Sequence, residues 1–522
     1  MPSSYIGFFG FTLFVIVYTA YKLRKDNFKT AKGFFLAGKS LTGPIIAGSM
    51  ILTNISTEHL IGMNGNAYQN GIIIIAWEVT SAIALVIAAI FFLPRFLRMG
   101  LTTIPEFLER RFDGITRVVV AALLMLSFVV TLLPIVLYSG AINIESVFDF
   151  SQLFDISKDR ALLFTVLVIG VIGSMYAIFG GLKAVAYSDT LNGVGLMIGG
   201  LLVPAIALYQ IGKGDMIDGL QTVYDFAPDK FDIIGKPDSV LPFSVLFTGL
   251  MINQLYFWGM NQAIIQRAFG AKNLVEAQKG LIYTGVLKLL VPLIIVLPGL
   301  IAFYYFEDDY YATPDLIYPM LVKKVLPTYL YGFFAAVILG AVLSTFNSVL
   351  NSASTVFCYD IYKKVINPDV SDEKLVYYGK LTSVLLAVIA IAVAPMVAFA
   401  PDGLYNLLQE LNGIFFIPIS SVIIAGIFVK QINATGAKVG LFFGFTFYIL
   451  TTFILDVGIH FVHLWGIEFV LNFVIMWVVS KMYATADYEE REDRSTEPQW
   501  SHVRLAGIIL VVLTITIYIL LS

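Results

Sequence analysis

Apolar runs of roughly 18 to 28 residues, each long enough to cross a bilayer as a helix, recur about fourteen times along this chain. Their approximate limits are 4–22, 42–63, 70–98, 117–148, 160–179, 184–212, 241–268, 276–305, 326–358, 375–397, 402–429, 435–456, 460–482 and 502–521. Such a chain has little freedom. In hydrocarbon every backbone amide must find its partner within the protein, so the spans must be helices. Composition agrees: of 522 residues, 58% are hydrophobic and 13% charged, against about 25% charged in a soluble domain. The expected fold is all-α and polytopic, with the lipid bilayer as its surroundings. A net charge of −3 gives no reason to expect nucleic acid as a partner. The one cysteine, Cys358, excludes a disulfide framework and a cysteine-based metal site. No small-residue cleavage site follows the first run, which is read as a retained span.

Basic residues set the expected orientation. Lys22, Arg24, Lys25, Lys29 and Lys32 follow the first run, Arg95, Arg98, Arg110 and Arg111 the third, and Arg267, Lys272 and Lys279 the seventh. All fall on one side, the cytoplasmic one. The opposite loops are acidic, with Asp215, Asp218, Asp225, Asp229, Asp232 and Asp238 in one and Glu307, Asp308 and Asp309 in another. Both termini are then outside, and the polar stretch 483–501 is a cytoplasmic connection.

Two spans are interrupted by polar residues. Thr53-Asn54-Ile55-Ser56-Thr57-Glu58-His59 lies within the second run, and Asn253-Gln254 with Gly259-Met260-Asn261-Gln262 within the seventh. Broken segments at matching places, five spans apart, point to an inverted-repeat transporter with a midplane site. Two ionisable residues lie deeper still. Glu78 and Lys288 each stand about eight residues inside a span, roughly 12 Å from its interface at 1.5 Å per residue, on spans that enter from opposite sides. An intramembrane charge costs at least ~2.5 kcal/mol and marks a functional site by default. Ser81 lies three residues from Glu78, on the same helix face. A carboxylate, an ammonium, a hydroxyl and nearby amides suit a neutral polyhydroxylated solute, whose hydroxyls both donate and accept. The alternative is a buried ion pair that only ties two helices together.

The chain resembles the sodium/solute symporter family, most closely its sodium–glucose branch. The resemblance spans residues 35–430 and rests on Phe35-Leu36-Ala37-Gly38-Lys39-Ser40-Leu41, Asn54-Ile55-Ser56-x-Glu58, Ile104-Pro105-Glu106-Phe107, Gly180-Gly181-Leu182 with Ser188-Asp189, Tyr256-Phe257-Trp258 with Asn261-Gln262, Gln266-Arg267, and Asn351-Ser352-Ala353-Ser354 with Asp360-Ile361-Tyr362. It implies a LeuT-type core of five plus five inverted helices, with repeats at about 42–212 and 241–429. That core would be preceded by a first helix and loop (1–34) and followed by peripheral helices (431–522).

By the same resemblance, Asn54, His59, Glu78, Ser81, Gln254, Lys288 and Gln409 match sugar-contacting positions, and Met63, Trp77, Tyr256, Phe257 and Tyr405 match gate positions. Gln254 stands where the family has Asn or Thr, and Phe257 where it has Tyr, so the identity of the sugar and the inner gate are open. For the ion, hydroxyls of Ser344 and Thr345 with backbone carbonyls of Ala341, Leu52 and Ile55 match the family's sodium (Na+) site, and hard cations prefer such oxygens. Asp189, Asn347 and Ser348 occupy positions of a second sodium site, although Asn347 is not the usual hydroxyl residue; Asp189 alternatively only gates sodium exit.

The expected activity is sodium-coupled import of a glucose- or galactose-like sugar through the plasma membrane, in a bacterial inner membrane. Myo-inositol, another polyol and sialic acid are the alternative substrates, and a solute sensor the alternative role. An intramembrane enzyme is not expected: His460-x-x-His463 lacks the Glu of a zinc protease and sits at a predicted outer interface. Oligomeric state is not legible, because Gly195-x-x-x-Gly199 packs helices within one chain as readily as between two.

Overall fold

A computed structural model describes residues 2–24, 26, 28–307, 309, 314–399, 404–455, 457–483 and 498–522. Lys25, Asp308 and most of the polar connection 483–501 lie outside the described residues. Every regular element among those described is helical, and the strand-like contact is a parallel bridge between Leu41 and Ala271. Ten of the described helices are long and apolar enough to cross a membrane, or up to eleven if Leu274–Leu290 and Pro292–Phe306, bent by 41°, form one span. Four expected runs account for the difference from fourteen: 42–63 is broken at Ile55, 241–268 at Met260, 276–305 is the bent pair, and 160–179 meets 184–212 at the kink of Gly181.

The elements that build the interior are α1 (Pro2–Leu23), α2 (Gly43–Asn54), α3 (Asn64–Asn70), α4 (Ala76–Ile87), α5 (Lys158–Ile211), α6 (Gly249–Gly259), α7 (Gln262–Phe269), α8 (Leu274–Leu290), α9 (Thr328–Val356), α10 (Leu404–Phe428), α11 (Ala434–Ile449), α12 (Phe461–Met482) and α13 (Val503–Leu521). Helix α2 packs against α5, α8 and α9, α4 against α6 and α8, and α12 against α6, α10 and α11. Ile6 and Phe9 of α1 and Ile519 and Leu520 of α13 are exposed, as a lipid-facing wall requires.

The first broken span begins with Pro44 in the opening turn of α2, where a missing N–H costs nothing. It stops at Asn54; Ile55 leaves helical geometry (φ −83°, ψ 80°) and a π-turn over His59–Met63 leads into α3. The second breaks at Met260 (φ −135°, ψ −16°), after which Asn261 caps α7 by accepting from the Ala263 N–H at 2.9 Å. Side-chain caps of this kind satisfy the backbone groups that a break releases inside a membrane. A third irregularity is Gly181 in α5 (φ +54°, ψ −169°), where a Cβ would come within 2.5 Å of the Phe34 carbonyl oxygen. Only glycine fits there.

Candidate functional site

Glu78, near the start of α4, and Lys288, near the end of α8, are each 1% exposed and bonded carboxylate to ammonium. Lys288 Nζ also donates to Asn54 Oδ1 at 2.7 Å and lies 5.2 Å from the centre of the Trp258 ring. The pair therefore joins α4, α8 and the first break. A buried charge left alone would cost several kcal/mol, whereas a pair with further hydrogen bonds is tolerated.

Around this pair lies a cavity lined by residues of both broken spans. Asn54, His59, Trp77, Glu78, Gln254, Phe257, Lys288, Tyr405 and Gln409 line it. The side chains hold one another in place. Gln409 Nε2 donates to the Tyr405 hydroxyl at 2.7 Å, and the Tyr405 ring lies 5.5 Å from His59 and 6.0 Å from Trp77. His59 Nε2 is 3.4 Å from Asn54 Nδ2, and its Nδ1 is 3.6 Å from Glu58 Oε1. Gln254 donates to the Trp77 carbonyl at 2.6 Å and accepts from Trp258 Nε1 at 3.1 Å. Phe257 packs edge-on to Trp258 at 5.1 Å.

Three expected positions stand apart from this ring. The Ser81 hydroxyl bonds back to the Glu78 carbonyl, Met63 is wholly buried, and Tyr256 packs on Phe416 at 4.4 Å. The lining also holds residues that were not singled out. Glu58, Asn253, Trp258 and Asn261 lay inside the quoted motifs, and Asn412 stands three residues after Gln409, where helical spacing alone places it on the same face.

On the far side of α2, Thr345 Oγ1 donates to the Thr53 carbonyl at 3.0 Å and the Leu52 carbonyl at 3.4 Å, tying α9 to the last turn before the break. Ile55 is the first non-helical residue after that turn, and Ala341 is wholly buried one turn before Thr345. Asn347 Oδ1 is buried and without a hydrogen-bond partner among the described residues, and Ser344, whose hydroxyl is directed at the Asp189 carboxylate, lines a second, smaller space with it, Ser188 and Asn192. Buried hydroxyl and amide oxygens of this kind are the donor type a hard cation takes.

Arg267 corrects the orientation argument. Expected on a cytoplasmic loop, it is fully buried, because α7 is the second half of a broken span and its last turn is enclosed by α2, α5 and α9. Its Nε donates to Ser49 Oγ at 3.1 Å and Nη2 to Thr53 Oγ1 at 2.9 Å, with further bonds to the Ser348 hydroxyl and the Ala263 carbonyl. Asp189 Oδ2 accepts from Ser49 Oγ at 2.7 Å and lies 3.9 Å from the guanidinium. Asp189 and Ser348 thus surround a resident cation. The histidine pair is structural in its contacts: His460 Nε2 meets the Val240 carbonyl at 3.0 Å, and His463 meets the Ser244 and Thr248 hydroxyls at 3.1 and 3.0 Å. Among the described residues no group of three His, Cys, Asp or Glu could hold a metal ion.

A model of the sodium:solute symporter family matches residues 34–444. An uncharacterised symporter of Escherichia coli K12, YidK, is 41% identical over 516 residues, 98% of this chain and 90% of that protein. A sodium/glucose cotransporter of Vibrio parahaemolyticus is 34% identical over 464 residues, 84% of this chain and 83% of that protein. The solved structure of a Na+-coupled sialic acid symporter superposes with a TM-score of 0.77 at 21% identity, covering 93% of this chain and 99% of that one, which is a likeness of fold.

Proposed function

Because this chain belongs to the sodium:solute symporter family, with a LeuT-type fold and sodium as its coupling ion, we propose that it imports a neutral sugar of the glucose or galactose type. The observation that carries this reading is the cavity's charge pattern. Glu78 and Lys288 neutralise each other, Glu58 adds a carboxylate 3.6 Å from His59, and the rest of the polar lining is mostly amides and hydroxyls. Such a lining pairs with hydroxyl groups and leaves an acidic solute without a free cation to meet it.

Sodium binds from outside between the Leu52, Ile55 and Ala341 carbonyls and the Ser344 and Thr345 hydroxyls, drawing α2 against α9. The sugar docks between His59, Glu78, Lys288 and Gln409 with Asn54 and Gln254 at its edge. Trp77 and Tyr405 close over it, and Phe257 lies beneath. Both termini face outward, in the plasma membrane. One charge through 100 mV is worth ~2.3 kcal/mol and a tenfold sodium gradient about 1.4 kcal/mol; together these drive several-hundredfold accumulation per ion.

The test is tracer uptake into proteoliposomes holding wild type or Gln409→Ala, with glucose, galactose, myo-inositol and sialic acid, under an inward sodium gradient or with choline in its place. Sodium-dependent uptake of one hexose, lost in the variant, is the expected result. Uptake of myo-inositol alone would replace the sugar by a polyol, and uptake of sialic acid alone would overturn the neutral-solute reading.

A further inference from the structure

Helix α12 carries an acid that the transport site does not use. Glu468 is 0% exposed within a membrane-length helix, and the donor within reach of its carboxyl group is the Asn472 amide. One turn on, Asn472 is equally buried; its Nδ2 donates to Ser421 Oγ at 3.3 Å, while its Oδ1 has no donor. The two oxygens converge on Gly444 of α11. A Cβ built there would stand 2.8 Å from Glu468 Oε1, 2.9 Å from Asn472 Oδ1 and 2.5 Å from its Nδ2.

No cation answers this acid among the described residues. On α11, Lys438 is bound to Asp113 at 2.6 Å and Tyr448 presents a hydroxyl directed at Trp465 and Thr452. Helix α10 contributes Glu410 and α6 contributes Tyr256, neither of them positive. On α12 itself, Lys481 lies over the Trp477 ring at 3.7 Å, and His463 is engaged by Ser244 and Thr248. An ionised Glu468 would therefore be a charge without a counter-ion where water does not reach, beside an Asn472 amide shared with Ser421, a costly arrangement. A sodium ion would need several oxygens around it, more than Glu468 Oε1 and Asn472 Oδ1 supply beside Gly444.

We propose that Glu468 is a proton-binding site: the carboxylate takes up one proton, and the resulting neutral acid donates it in a hydrogen bond to Asn472 Oδ1. The site sits one turn beyond Trp465, whose ring lies 6.2 Å from Trp77 at the main cavity. The proton therefore lets α10, α11 and α12 close tightly behind that cavity.

The test is infrared difference spectroscopy of the purified full chain in lipid at neutral pH, with choline as the only added cation. The expected result is a protonated-carboxyl carbonyl band that shifts in D2O and is lost in Glu468→Gln, a variant that keeps the shape of the neutral acid and therefore the wild-type melting temperature. Asn472→Ala, which removes the acceptor, is expected to move the same band to higher frequency. Absence of the band from wild type overturns the proposal. So does its disappearance when sodium is added, which would make this a sodium site. These readouts need no solute, so they stand apart from the sugar assignment.

Discussion

Arg267 donates through Nη2 to the Thr53 hydroxyl at 2.9 Å, so a guanidinium at the end of one broken span holds the last turn of the other. The same group reaches Ser49 and Ser348 and lies 3.9 Å from Asp189, which places one buried cation where four helices meet.

Arg267→Met should leave Asp189 buried and uncompensated. Breaking a buried pair in this way costs about 3–5 kcal/mol, so the purified variant should melt well below wild type. The double variant Arg267→Met/Asp189→Asn should recover part of the loss. A single variant as stable as wild type would show that the guanidinium does not hold the two spans together.

Glu78→Gln should act on the main cavity in the same manner. Lys288 would keep Asn54 and lose its only anion, with a similar loss of about 3–5 kcal/mol and loss of sodium-dependent uptake. Pairing it with Lys288→Met should restore melting and leave uptake absent. Restored uptake in the double variant would reduce the pair to a strut between α4 and α8.

Ser81→Ala should be nearly silent. Its hydroxyl bonds to the carbonyl three residues back, a local bond worth at most about 1 kcal/mol, so the KM for the transported sugar should not move. A large rise in KM with normal melting would mean the hydroxyl turns into the cavity when solute is bound.

That contrast shows what sequence can and cannot carry. The depth of Glu78 and Lys288 within their spans was enough to bring them together, because helical rise and bilayer thickness are fixed lengths. The breaks at 55–58 and 260 were legible for a similar reason: polar residues inside an apolar run have few other uses. Rotamers are not encoded that way. Ser81 shares a face with Glu78, yet its short side chain finds its own backbone first. Arg267 was misplaced because charge-based orientation assumes that a span ends in water, and α7 ends inside the protein. The corner at Gly181 and the 41° bend between Leu274–Leu290 and Pro292–Phe306 were not legible, since hydropathy marks apolar length and not backbone direction.

A pH effect should appear outside the spans. Burial raises the Glu109 carboxyl, but hydrogen bonds from Lys364 and Arg117 outweigh it and hold the group below its usual range. A carboxyl held low when folded contributes stability that is present above its unfolded value, about 4.3, and is lost as pH falls through the folded value. Wild type should therefore lose melting temperature on acidification below that range, and Glu109→Gln should start lower at neutral pH and show a flatter acid limb. Parallel curves for the two proteins would remove Glu109 from the acid response.

The bend at Gly181 has a mechanical side. A straight helix of 54 residues would be roughly 80 Å long at 1.5 Å per residue, far more than the ~30 Å hydrocarbon layer. The bend divides that rod into two arms, and the Phe34 carbonyl is wedged against the corner where a side chain would otherwise be. Phe34 thus serves as a fulcrum: neither arm can swing without pushing on the segment that leads into the first broken span, so displacement at the periphery is delivered to the helix that carries Asn54.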